Sequence, residues 1–133
     1  MIFWHQSKAK LFPIITFQKI SDEYVKFYEK NFKNLLLHDH VEEILKSVNL
    51  LGSSQSILSA GNQELLNNWL KSHDISQYFL HIIGVENHYA HGKIKQGLRL
   101  KEKLQFEKNE IVLIGDTIHD SEVAEELSVD CIL

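Results

Sequence analysis

Several residue types are scarce in this chain, and each shortage excludes something. Of 133 residues one is cysteine, Cys131, and one is proline, Pro13. A lone cysteine forms no internal disulfide, so a disulfide-stapled scaffold is excluded. Cys131 lies in an apolar run and reads as a buried, inert thiol suited to a reducing compartment. With 14 Lys and Arg against 18 Asp and Glu, the net charge is -4. There is no basic excess to draw in a phosphate backbone, so no nucleic-acid partner is expected. No apolar run is long enough to cross a bilayer. The apolar residues 1–4 are followed at once by His5, Gln6, Lys8 and Lys10, which does not read as a signal peptide. Internal repeats and low-complexity tracts are also lacking. A cytoplasmic protein without membrane contact is the expectation.

The remaining composition, 44% hydrophobic and 24% charged, suits one domain with one core and argues against disorder. The second half alternates between two periods. Ser56-Ile57-Leu58 is an apolar run ending in Ser59-Ala60-Gly61-Asn62, which reads as a buried strand meeting a loop. Leu65, Leu66, Trp69 and Leu70 then share one helical face across residues 62–72. Residues 80–85 form the next apolar run. A helix is expected from near Lys93, with Ile94, Leu98 and Leu104 roughly on one face. Residues 111–114 make a third strand, ending in Gly115-Asp116. Residues 121–127 read as a helix with Val123, Ala124 and Leu127 inward, and residues 129–133 open a fourth strand.

Strands alternating with helices imply parallel strands joined by right-handed crossovers. Continuous apolar strands imply that both sheet faces are covered. The expectation is an α/β three-layer, Rossmann-like sandwich. Ligands of such sheets bind beyond the carboxyl ends of the strands, which points to Ser59-Ala60-Gly61, to the loop near Glu86, and to Gly115-Asp116-Thr117.

The first half differs. Residues 21–36 read as a helix with Ser21 as N-cap and Asp22 and Glu23 in its first turn. Its aromatics Tyr24, Phe27, Tyr28 and Phe32, like Trp69, read as core packing. A second helix is expected from about His40 to Asn49, with Asp39 and Glu42 at capping-box spacing and a Glu42–Lys46 pair one turn apart.

The residues that carry chemistry lie at the strand ends. Asp116 and Asp120 follow a buried strand at the mouth of a helix. Two close carboxylates repel each other, and a hard divalent cation with oxygen ligands relieves this, Mg2+ being the usual choice beside phosphates. Asp116 as a turn residue and Asp120 as a helix N-cap is the plainer alternative. Ser59, beside backbone N–H groups at a helix start, can hold a phosphate oxygen. Lys93 begins a helix, where a cation opposes the macrodipole unless something anionic lies nearby. His38-Asp39-His40 lacks a third ligand and reads as a solvated cap rather than a metal site. His88 and His91 fit loop polarity, and position alone gives His119 no role.

Taken together, strand–Ser, helix–Lys and strand–Gly-Asp-x-x-x-Asp resemble the second, third and fourth motifs of the haloacid dehalogenase superfamily. Gly115-Asp-Thr-Ile-His-Asp-Ser-Glu-Val-Ala124 and Ile57-Leu-Ser-Ala-Gly61 are similar to stretches in its phosphoglycolate-phosphatase-like members. The resemblance covers about residues 36–133. It implies a Rossmann-like core carrying Mg2+-dependent hydrolysis of a small phosphorylated metabolite. It also implies that Ser59, Ala60, Gly61 and Lys93 bind the phosphoryl group, and that Asp116 and Asp120 hold Mg2+ directly or through water. Ser59, Lys93, Asp116 and Asp120 would form the catalytic set, by preorganised charge.

The family's first motif, a strand ending in Asp-x-Asp-x-Thr with the nucleophile, has no counterpart here. Before Ser59 the chain has only Asp22 and Asp39, and neither is followed by an aspartate two residues later. The expectation is therefore residues 1–37 as the remnant of a helical cap and residues 38–133 as the core, truncated at its C-terminus. The other reading makes residues 2–4 a degenerate first strand, with His5-Gln6-Ser7 where the aspartates belong. In the family this first strand lies between the strands of motifs two and four, so its loss implies low stability or self-association to complete the sheet. A non-catalytic phosphate- and metal-binding or interaction module is the alternative to an enzyme. A receiver-like signalling domain ranks last, for want of a strand-end phosphoacceptor.

Overall fold

The computed structural model describes residues 17–31, 34–85 and 92–133. The suggested strand at 2–4, Leu11 to Ile14, Phe32, the loop at Glu86, and His88 and His91 lie outside the described residues. The chain divides into two units, Met1–Leu36 and Leu37–Leu133, taken here one at a time.

In the first unit, helix α1 spans Phe17–Asn31, starting earlier than expected. Ser21 thus lies inside it rather than at its cap, and its first turn holds no acidic residue. The apolar Phe17 and Ile20 extend the helical pattern upstream. Tyr24 and Tyr28, one turn apart, stack with ring centroids 6.4 Å apart. Both are exposed, as is Phe27, which corrects the expectation that they pack in a core.

The second unit begins with α2, Val41–Leu50. The expected Asp39 cap is replaced by His40, which sits in the left-handed region and makes no side-chain cap bond. Its Nδ1 meets Glu43 Oε2 at 3.1 Å instead. Glu42 accepts from the Tyr78 hydroxyl at 3.1 Å rather than pairing with Lys46. Then follow β1 (Ser56–Asn62), α3 (Gln63–Ser72), a 3₁₀ turn (Ser76–Tyr78), β2 (His81–Val85), α4 (Gly92–Leu104), a second 3₁₀ turn (Lys108–Glu110), β3 (Val112–Ile114), α5 (Ile118–Leu127) and β4 (Asp130–Ile132). α5 starts three residues before the expected boundary at Ser121, because Thr117 caps it.

β1 pairs with β2, and β3 with β4, both in parallel. The fold is thus α/β with parallel strands. Among the described residues the two pairs are separate sheets, with no ladder between β1 and β3. Helix α4 connects them, packing on β1, β2 and α5. A methyl at Gly97 would lie 3.1 Å from both Leu58 Cδ2 and Leu127 Cδ1, so a larger residue there would press on both neighbours. Leu70, Ile75, Val85, Leu100, Val123, Ala124 and Leu127 form the buried apolar set. On α4 the buried positions are Gly97 and Leu100, while Leu98 is exposed, which corrects the expected helix face.

The expectation of covered sheet faces holds only on one side of β3–β4. Leu113 and Cys131 are half-buried, whereas Val112, Ile114 and Ile132 on the other face are exposed, Ile114 by 75%. Cys131 is therefore not the fully buried thiol expected.

Burial separates side chains that look alike in sequence. Leu70 is 1% exposed and Ile44 59%. Leu70→Ala should cost about 2–5 kcal/mol, and Ile44→Ala no more than about 0.5 kcal/mol. Urea unfolding of the two variants checks the contrast; equal losses would contradict this description of the core.

Candidate functional site

Helix α5 begins with a reciprocal cap. Thr117 Oγ1 accepts from Asp120 N–H at 3.3 Å, and Asp120 Oδ2 accepts from Thr117 N–H at 3.1 Å. The same Oδ2 also takes Thr117 Oγ1–H at 2.8 Å and Asp116 N–H at 3.2 Å. Its sister oxygen, Oδ1, receives Lys93 Nζ from the first turn of α4. Asp120 is thus the third residue of the helix, with four donors on one buried carboxylate, and neither its N-cap nor a free ligand.

The environment acts on its acidity in two directions. Burial alone would raise the Asp120 pKa, since Asp120 is only 6% exposed. The hydrogen bonds from Lys93, Thr117 and Asp116 N–H, with the Lys93 charge, outweigh burial and hold it well below the usual carboxylate range. The Lys93 cation, costly at a helix N-terminus, is in turn offset by this carboxylate. Gly115 makes the turn possible: a Cβ there would overlap Asp120 Cβ and stand 2.6 Å from its Cγ.

Asp116 is exposed, and among the described residues its carboxylate has no hydrogen-bond partner. Among the described residues no group of three or more His, Cys, Asp and Glu is placed to hold a metal. The pair expected to share a cation is therefore unequal: Asp116 offers free oxygens, while those of Asp120 are taken. Mg2+ commonly uses one or two carboxylates plus substrate phosphate and water, so this donor set fits such an ion through Asp116, with Asp120 behind it.

Ser59 arrives by topology. β1 and β2 are parallel, with Leu58 opposite Ile83, so both end on the rim where the chain goes on to α4 and Lys93. Ser59 Oγ accepts from Gly61 N–H at 3.0 Å, and Asn62 Oδ1 caps α3 through Glu64 N–H and Leu65 N–H at 2.9 and 3.1 Å. Residues 59–61 thus lie within β1, as an irregular stretch of it rather than the loop expected after Leu58, and a ligand there would exchange with bonds they already make. No hydrogen bond joins Ser59 to Lys93 or Asp116 among the described residues. Direct bonds therefore unite Lys93, Asp116, Thr117 and Asp120, and among the described residues none of them reaches Ser59, Ala60 or Gly61.

Sequence reasoning placed Thr117 at the strand end but missed its part in holding Asp120, although Thr117-x-x-Asp120 has a capping-box spacing that could have shown it. His119 Nδ1 meets Glu122 Oε2 at 3.0 Å, and its Nε2 is buried with no partner among the described residues. His40 Nδ1 pairs with Glu43 Oε2 at the exposed start of α2.

No curated protein matches the chain. Among solved structures it is similar to protein tyrosine kinase A of Mycobacterium tuberculosis, with TM-score 0.76 and 19% identity over 86% of this chain and 54% of that one. It is also similar to a hydrolase from Streptococcus pneumoniae, with TM-score 0.68 and 18% identity over 89% and 62%. A third is a haloacid dehalogenase-superfamily hydrolase from Ehrlichia chaffeensis, with TM-score 0.62 and 20% identity over 92% and 69%. At these identities the likeness is one of fold, and the chain spans only about half to two-thirds of the length of these proteins. The sequence pattern described as haloacid dehalogenase-like hydrolase matches residues 4–133, a longer stretch than the motifs alone cover. The chain belongs to the haloacid dehalogenase-like hydrolase family.

Proposed function

We propose that this chain carries the phosphate-binding half of a phosphohydrolase site for a small phosphomonoester, of the phosphoglycolate-phosphatase-like kind. The observation that carries the reading is the buried Lys93–Asp120 pair beside the Asp116 carboxylate, which has no hydrogen-bond partner among the described residues. Lys93 is held at the rim with a fixed direction, where it can neutralise a phosphoryl oxygen. The turn at Ser59, Ala60 and Gly61 supplies a hydroxyl and backbone groups for the others. Asp116 would hold Mg2+, and Asp120 would act on the ion through water while orienting Lys93. Bound there, the ion would spread the phosphoryl charge.

Turnover needs an aspartate nucleophile, and neither Asp22 nor Asp39 stands in the required pattern. Removing a nucleophile from a catalytic set costs orders of magnitude. The chain is therefore expected to bind the phosphoryl group and metal without hydrolysing at enzymatic rates, in the cytoplasm, with no nucleic-acid or membrane partner. The same reading assigns residues 1–37 to a helical-cap remnant and 38–133 to the core. A non-catalytic binding module is the second reading, favoured by the saturation of Asp120.

Three outcomes follow. Calorimetric titration with Mg2+ and inorganic phosphate should show binding that Asp116→Asn weakens about tenfold or more, on the scale of one lost charged contact. Hydrolysis of p-nitrophenyl phosphate by the purified chain should stay at background, and ordinary enzymatic rates would overturn the reading. Sedimentation should show mass rising with concentration, since Val112, Ile114, Ile118 and Ile132 are exposed; a monomer at all concentrations would count against self-association.

The acidity of Asp120 gives a further outcome. Its folded pKa lies below the unfolded value of about 3.9, so the folded chain binds fewer protons in that range. The stability from its bonds is fully present above about pH 4–5 and is lost as pH falls through the folded value. The melting temperature should drop on acidification below about pH 4 more steeply in the unmodified chain than in Asp120→Asn. Equal slopes would contradict the assignment.

A further inference from the structure

Helix α1 carries Ile20, Tyr24, Phe27 and Tyr28 on one face, and Tyr24 and Phe27 are exposed by 67 and 69%. A contiguous exposed apolar face marks an interaction site, whereas scattered single residues do not. Ile20, Tyr24, Phe27 and Asn31 follow one another by steps of four, three and four residues. That spacing is the seam along which two helices pack as a coiled coil. Tyr24 and Asn31 take one seam position, and Ile20 and Phe27 take the other. Tyr28 stacks on Tyr24 and widens the seam. The Asn31 amide donates to Phe27 C=O at 2.8 Å, so its polar end has a partner where the seam stops.

The charges beside the seam identify what covers it. The flanking position three residues after Ile20 and Phe27 falls on Glu23 and Lys30, both exposed. Such flanking charges set the partner and orientation of paired helices. In a parallel pair, Glu23 would face Tyr28 of the second copy, and Lys30 would reach past the end of α1, so neither would meet a counter-charge. In an antiparallel pair, like flanks face each other. With Tyr24 level with the second copy's Phe27, Glu23 comes opposite the second copy's Lys30. Two-fold symmetry repeats that contact, since both copies use the same patch. A shift of seven residues one way sets Glu23 against Glu23, and the other way sets Lys30 against Lys30. One orientation and one register are thus favoured, and the neighbouring registers are opposed by like charges. The centre then holds Tyr24 and Phe27 against Phe27 and Tyr24, with Ile20 against Asn31 at each end.

We infer that the exposed face of α1 is a homodimer interface, covered by α1 of a second copy in antiparallel orientation. It uses none of the exposed strand residues Val112, Ile114 and Ile132, and it needs neither the metal nor the phosphate reading.

Sedimentation of the full chain tests this in a background of Ile114→Ser with Ile132→Ser, which removes association through β3–β4. A monomer–dimer equilibrium should remain in that background. Phe27→Ser should weaken it at least about a hundredfold, because two central aromatics are lost from the dimer. Glu23→Lys or Lys30→Glu alone should weaken it about tenfold, since two opposite-charge contacts become two like-charge contacts. The two reversals combined in one chain should restore dimerisation, because the swap re-forms both pairs. The reversals leave the apolar face intact, so they decide the matter even where Phe27→Ser does not fold. Single reversals without effect, or a double swap no better than either single reversal, would overturn the inference. Dimers present in the unmodified chain but lost in the background would assign association to β3–β4, and would overturn the α1 interface as surely as a monomer throughout.

Discussion

The ion pair between Lys93 and Asp120 is the constraint on which the site depends. It ties the first turn of α4 to the first turn of α5, and so the β1–β2 pair to the β3–β4 pair, which share no ladder among the described residues. A buried carboxylate is expensive unless its lone pairs are used. Here one oxygen takes Lys93 and the other takes Thr117 twice and Asp116 N–H once. Breaking the pair would leave a charge uncompensated beside Val123 and Ala124. Gly115 and Thr117 are then explained together: one leaves room for the carboxylate, and the other completes its shell.

The same saturation decides how the two aspartates divide their work. Among the described residues Asp116 keeps its oxygens free, and Asp120 gives its own to the fold. A site assembled this way can fix a lysine in place before any ligand arrives, which is how preorganised charge becomes effective in phosphoryl transfer. The loop at Ser59 is prepared differently. It closes on itself through the Gly61 N–H, which donates to Ser59 Oγ.

Much of this was legible in the sequence. Residues 56–58, 80–85 and 111–114 announced strands by apolar runs, and Val123, Ala124 and Leu127 announced a buried helix face. The chemical residues stood at strand ends, where parallel sheets place them, and their order pointed to the family. What failed did so for physical reasons. Ser21 and Asp39 looked like caps because caps were judged by residue type, whereas Phe17 and Ile20 carried α1 past Ser21, and His40 took a left-handed conformation that no side-chain rule foretells. Tyr24, Phe27 and Tyr28 looked like core because periodicity reports a face without saying what covers it. The bulge after Leu58 left no trace in composition and shows only in the register of β1 against β2.

The central claim is that Lys93 and Asp120 act as one unit holding the rim together. A double-mutant cycle measures this directly, with Lys93→Met, Asp120→Asn and the double variant unfolded in urea. The account expects the single losses to be non-additive by about 1.5 kcal/mol or more, within the range for contacting buried partners. Additivity to within about 0.5 kcal/mol, the behaviour of independent sites, would contradict it.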